Sequence, residues 1–198
     1  MGPAASRPSP RPHRTSGPRV KLWRTFVEFK YCPLCATELI TQALFGRERQ
    51  RCPNCRWIHF RGPKVGAGTL VERNGKVVLV KRGVNPGKGL WCFPSGFMEI
   101  DEKPQAAAAR EFKEETGLDI RITGLVDVFH YSADFKGPGI MVLYKGEITR
   151  GDPKAMDDVV EIAFFGPDEL PEDEAIAFES NRLVLAQWKK GLSTKSSV

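Results

Sequence analysis

No apolar run in the 198-residue sequence approaches the roughly 18 residues that a membrane-crossing helix requires, so a spanning segment is not expected. The apolar core of a secretory leader is also missing. That points to a reducing, cytoplasmic setting, in which disulfides do not persist and the five cysteines need another explanation. Residues 1–24 contain no acid but six basic groups, Arg7, Arg11, Arg14, Arg19, Lys21 and Arg24. The chain has 30 basic and 24 acidic residues in all, so the net charge of +6 belongs to this segment and the remainder balances. Net charge alone therefore does not mark the folded part as a nucleic-acid binder. Residues 25–64 carry seven basic and three acidic groups, whereas residues 65–198 carry 17 and 21, so two oppositely biased modules are expected. Residues 1–28, rich in Pro, Ser and Arg, are expected to be disordered and outside the fold. Reading them as a targeting peptide would require an amphipathic helix built through several prolines.

Four cysteines form two matched knuckles, Cys32-Pro33-Leu34-Cys35 and Cys52-Pro53-Asn54-Cys55, with sixteen residues between them. That spacing suits one tetrahedral ion held by four thiolates, a closed structural zinc site with no position left for water. A segment of this size, residues 29–62, buries too little apolar surface to fold unaided, so zinc is expected to supply much of its folding free energy. His59 follows closely, but four thiolates already fill the shell and it is not expected to be a ligand. Cys92 lies between Trp91 and Phe93 and reads as a small buried hydrophobe. Around the second knuckle, Arg47, Arg49, Arg51, Arg56, Trp57, Phe60 and Arg61 interleave cations with aromatics. Such a composition could hold nucleic acid; a solvated strand face is the simpler expectation.

From residue 63 onward the pattern is mixed α/β. Val65 to Arg73 and Lys76 to Arg82 are β-rich runs joined by Asn74-Gly75, which suits a type I′ hairpin. Leu90 to Phe93 reads as a short strand, and Pro94-Ser95-Gly96 as a tight break. The spacing then predicts a helix over 104–116: Pro104 fits its first turn, an alanine-rich run follows, and Gly117 fits a left-handed cap. Strands are expected near 120–130, 139–149 and 159–165, and a final helix over Phe178 to Lys190.

Glu111, Glu114 and Glu115 stand at i, i+3 and i+4 on the predicted helix, so three like charges share one face. Two of them also lie in the last turn, where the helix dipole disfavours anions. Both penalties vanish if the face holds a hard cation such as Mg²⁺ or Mn²⁺, which takes oxygen ligands. Ala107 and Ala108, one turn earlier, are small enough to leave room for an ion and a phosphate.

The segment GFMEIDEKPQAAAAREFKEETGL fits a 23-position pattern: Gly96, Glu102, Arg110-Glu111, Phe112, Glu114-Glu115, Gly117 and Leu118 at their required spacings. In this the chain resembles the Nudix hydrolases. The resemblance implies an α/β/α sandwich around a mixed sheet over residues 63–198, and metal-dependent hydrolysis of a nucleoside diphosphate linked to another moiety. It further implies that Glu111, Glu114 and Glu115, helped by the Gly96 carbonyl, hold Mg²⁺. Glu114, Glu111, Arg110 and Glu102 then make up the catalytic set, with Arg110 and Glu102 as an orienting pair. The identity of the general base varies across the family, and Asp157, Asp158 and Glu161 are further places to look.

A ribbon followed by such a domain is similar to the NADH, ADP-ribose and FAD pyrophosphatase branch. The stretch LVDVFHYSADFKGPG lacks the SQPWPFP-type segment of the NADH enzymes, which leaves ADP-ribose or a related dinucleotide as the expected small-molecule substrate and AMP as a product. Phe129, Tyr131, Phe135 and Tyr144 could stack on an adenine or belong to the core. Decapping of nucleotide-capped RNA and a non-catalytic nucleotide- or RNA-binding module are the alternatives. A homodimer packed through the ribbon is possible.

Overall fold

The computed structural model describes residues 28–134 and 137–195, with side chains for all of these except 132–134, 137 and 192–195. The expected disorder of residues 1–28 therefore lies, apart from Glu28, outside the described residues, as does Phe135.

The first module is a two-stranded antiparallel hairpin, β1 (Ile40–Leu44) and β2 (Arg47–Arg51), flanked by the two cysteine knuckles. The knuckles repeat one another. Ala36 N donates to Cys32 O at 2.9 Å and Arg56 N to Cys52 O at 3.1 Å, and both donor residues have left-handed φ, 58° and 65°.

The second module is built on β3 (Lys64–Arg73) and β4 (Lys76–Arg82), which meet at Asn74-Gly75 with φ of 54° and 73°, as the dipeptide predicts. Strand β5 (Trp91–Cys92) pairs with β4, and β6 (Ser95–Phe97) pairs with β3. A long hairpin of β7 (Asp119–Asp134) and β8 (Gly137–Arg150) joins through β8, which runs parallel to β3 from Lys64 to Val71. Strand β9 (Val159–Phe165) closes against β4.

Helix α1 (Pro104–Thr116) packs Ala107, Ala108 and Phe112 on one side of this mixed sheet, against Ala67, Val71, Val78 and Leu118. Alternation along β3 and β4 turns Leu70, Val77 and Leu79 the other way. There they meet Val184 and Leu185 of helix α2 (Glu179–Lys195) together with Trp91 and Phe93. Two helices thus cover opposite faces, an α/β/α sandwich. Among the described residues no helix is long and apolar enough to cross a membrane.

Two expectations are corrected. Residues 95–97 form a strand, not a break, because β3 carries Gly66 and Gly68 where β6 crosses it. A Cβ on Gly68 would lie 2.6 Å from Ser95 Cβ, so only a glycine lets the strands close. Ala107 and Ala108 leave no room for an ion. Both are fully buried against Ala67 and Tyr144, and their small size brings α1 close to the sheet.

Candidate active site and thiolate centre

Three consecutive residues of β6 each engage one residue of α1. Ser95 N donates to Glu115 Oε2 at 3.0 Å. Gly96 lies directly under Glu111, so closely that a Cβ there would sit 2.2 Å from the Glu111 carboxyl carbon. Phe97 O accepts from Arg110 Nη2 at 3.0 Å. The pairing of β6 with β3 and the packing of α1 on β3 fix both sides of this seam, so the carboxylates are positioned by the core and not by a loop.

Arg110 is the hub. Its Nε and Nη2 reach both oxygens of Glu102, at 3.1 and 2.6 Å, while Nη1 is shared by Glu111 Oε1 at 2.8 Å and Glu114 Oε2 at 2.9 Å. Glu102 also accepts from Glu99 N at 2.8 Å, and these hydrogen bonds hold its carboxyl below the usual carboxylate range. The bidentate pair locks the guanidinium plane, which in turn fixes Glu111 and Glu114.

The three glutamates differ in environment. Glu115 is 3% exposed; burial, and then the negative charge of Asp158, push its carboxyl up to about 9 against the opposing Ser95 N–H bond. Burial also raises Glu111, an effect opposed by Arg110. Glu114 has a half-exposed side chain and faces solvent beside Arg110. The i, i+3, i+4 pattern therefore spans a wedge from the core edge to water. Glu111, Glu114 and Glu115 are not a group with ligand atoms all within 4.8 Å of one another; among the described residues only the four cysteines are.

The loop before β9 docks on the end of α1, where Lys154 N donates to Thr116 O at 2.9 Å and Met156 N to Glu115 O at 3.2 Å. That docking satisfies carbonyls left open at the helix end. It also brings the charges of Asp157 and Asp158 to bear on Glu111 and Glu115. Glu161 points elsewhere, pairing with Lys81 Nζ at 2.7 Å. Arg82, 9% exposed, was not anticipated; its charge acts on Glu115 and its Nε donates to Pro86 O at 2.6 Å. Of the candidate stacking aromatics, Tyr144 is buried with Ala67, and Phe129 packs against the core beneath α2. Tyr131 lies over Gly139, where a Cβ would come within 2.0 Å of its ring.

In the first module the sulfurs of Cys32, Cys35, Cys52 and Cys55 lie within 4.8 Å of one another. The pairs Cys32–Cys55 and Cys35–Cys52 are each 3.5 Å apart, close to the ~3.8 Å expected between thiolates on one tetrahedral zinc. Hydrogen bonds from Thr37 draw Cys35 down to about 6. Against the lowering hydrogen bond from the Trp57 backbone N–H, the crowding of neighbouring thiols, Cys32 foremost, pushes Cys55 up to about 12. Four thiolates this close cannot all ionise without a cation among them. His59 stands apart, with Nδ1 3.3 Å from Gln50 Oε1 and its ring stacked on Trp57. Cys92 is 1% exposed, and burial pushes its thiol up to about 12.

Residues 61–187 match the NUDIX domain family. The chain is 34% identical over 132 residues to an ADP-ribose pyrophosphatase of Methanocaldococcus jannaschii, covering 65% of this chain and 76% of that protein. It is 33% identical over 96 residues to the phosphatase NudJ of Escherichia coli K12, covering 48% of this chain and 62% of that one. A crystal structure of a NUDIX hydrolase from Nitrosomonas europaea superposes with a TM-score of 0.73 at 32% identity, covering 82% of this chain and 91% of that one. A share of that size must include part of the chain before residue 61.

Proposed function

The chain belongs to the Nudix hydrolase family, and from that premise we propose that it cleaves the pyrophosphate of ADP-ribose or a related dinucleotide, releasing AMP, with Mg²⁺ or Mn²⁺ held by Glu111, Glu114, Glu115 and the Gly96 carbonyl. The observation that carries this reading is the seam between β6 and α1, where Gly96 lies under the Glu111 carboxylate in a space a methyl group would fill. All-oxygen donors of this kind suit a hard divalent cation. Such an ion, when bound, would neutralise the pyrophosphate oxygens and make water a better nucleophile. The chain's own residues orient the donors: Glu102 fixes Arg110, and Arg110 fixes Glu111 and Glu114. Both are positioning residues. Asp157, Asp158 and Glu114 are the carboxylates available to take a proton from the attacking water. Cleavage of FAD or NADH fits the same chemistry, and support for ADP-ribose comes from the archaeal relative. The test is AMP release from ADP-ribose, FAD, NADH and nucleoside triphosphates, with Mg²⁺ and with chelator. Magnesium-dependent AMP from ADP-ribose is expected, and silence across the panel would sink the proposal.

Glu115 makes a pH-dependent contribution. Its folded-state pKa lies well above that of an unfolded glutamate, near 4.3, so the stabilisation it gives is complete at lower pH and is lost as pH rises towards about 9. In chelator a stability contribution on the order of a few kcal/mol should therefore be lost between pH 5 and 9, seen as a falling melting temperature. Mg²⁺ should restore most of it at the alkaline end. Glu115→Gln should flatten the profile, and an unchanged slope in that variant would assign the effect to other groups.

The four cysteines are proposed to hold a structural zinc ion. Cys52→Ser should release zinc, measured by elemental analysis, and unfold residues 29–62, seen as lost amide protection there. ADP-ribose turnover in the same sample should fall by less than about tenfold, because no carboxylate of the seam is touched. Full zinc content in the variant would refute the assignment.

A further inference from the structure

The proposed chemistry leaves one exposed constellation unused, at the tip of the β1–β2 hairpin. Phe45 and Phe60 are 75% and 61% exposed, yet their rings stack on each other with centroids 6.2 Å apart and planes at 23°. The Arg49 guanidinium lies over both, 5.9 Å from one ring and 5.3 Å from the other, and is anchored by donating from Nη1 to Leu44 O at 2.5 Å. Phe45 takes up a left-handed φ of 52° at a turn position where asparagine or glycine is the unstrained choice. A bulky residue is thus held in a costly conformation with its ring in water. Arg47, Arg49 and Arg51 alternate along β2, so all three project from the face that carries Arg49 over the two rings, while Glu48 and Gln50 take the other. The surrounding residues 25–64 have an excess of basic groups, and residues 65–198 an excess of acidic ones.

We propose that this face binds single-stranded nucleic acid, with unpaired bases stacking on Phe45 and Phe60 and backbone phosphates paired with Arg47, Arg49 and Arg51. A polyanion would neutralise these arginines, whereas a two-fold contact between copies through this face would set three against three. Exposed rings beside guanidinium planes suit splayed bases, which a duplex does not offer.

Anisotropy of a labelled 12-nucleotide RNA, titrated with the full chain at several salt concentrations, tests it. Binding should weaken with salt at a slope of about −0.7 per phosphate contacted, or about −2 for three. Phe45→Leu and Phe60→Leu should each weaken binding about tenfold and leave the slope unchanged. Arg49→Gln should lower the slope by about 0.7. Zinc content and ADP-ribose turnover should match the parent in all three, which separates this surface from the hydrolase site; Phe60→Leu, away from the turn, decides if Phe45→Leu loses zinc. Several results would overturn the proposal: no binding by the parent chain, ring variants that bind as the parent does, or duplex RNA bound as tightly as the single strand. A dimer lost in the ring variants with RNA affinity unchanged would assign the face to self-association.

Discussion

Glu114→Gln is expected to lower kcat for ADP-ribose by about 10²–10³-fold at saturating Mg²⁺ while leaving the melting temperature almost unchanged. The two readouts part because of where Glu114 stands. Its side chain is half exposed and packs into no core cluster, and glutamine matches glutamate in shape and nearly in helix propensity. Losing the charge removes one bond to Arg110 Nη1, at 2.9 Å, but relieves repulsion from Glu111 one turn away, so the effects on folding roughly cancel within ~0.5 kcal/mol. On the proposed reading the same charge faces the cation and the phosphates, and there nothing would compensate for its removal. Calorimetric titration with Mn²⁺ should show weaker binding alongside the loss of turnover. Unchanged turnover would remove Glu114 from the site; a large fall in melting temperature would show it to be structural.

Much of this arrangement is legible in the sequence, since the signals are local. Pro104, the alanine run and Gly117 define α1 as it stands, from Pro104 to Thr116 with Gly117 at φ 72°. Asn74-Gly75 sets the hairpin, and the cysteine spacing alone brings four sulfurs together. What escaped needed contacts between distant residues. The strand character of 95–97 is hidden by Pro94 and Gly96 and is written instead in Gly66 and Gly68, some thirty residues earlier. Helical periodicity placed Glu111, Glu114 and Glu115 on one face but could not show that Glu115 reaches Ser95 N inside the protein. Periodicity likewise put Ala107 and Ala108 beside the glutamates, where the sheet, not a ligand, takes up the space. Asp157 and Asp158 reach the site only because the preceding loop docks on the end of α1, and the Phe45–Phe60 stack joins residues on opposite sides of the second knuckle.

Gly96→Ala is the second large effect, and it separates geometry from charge. The added methyl carbon would stand 2.2 Å from the Glu111 carboxyl carbon and from Oε2, far inside the ~3.5–4.0 Å of ordinary contact, so one of the two must move. Backbone pairing of β6 with β3 holds residue 96, and the glutamate side chain is the softer partner. The fold should therefore survive with a loss of about 1–2 kcal/mol, similar to other overpacking changes. Glu111 would swing away from Arg110 Nη1, its partner at 2.8 Å. A displacement of more than about 1 Å in this proposed metal ligand should cost on the order of 10²-fold in rate, and the Mg²⁺ concentration for half-maximal activity should rise as well. A double-mutant cycle with Glu111→Ala decides the cause. If Gly96 matters because it makes room for Glu111, the methyl group should cost little turnover once that carboxylate is gone, and the two effects should be strongly non-additive. Additive losses would mean that Gly96 acts through its own backbone, with its carbonyl as the donor that matters.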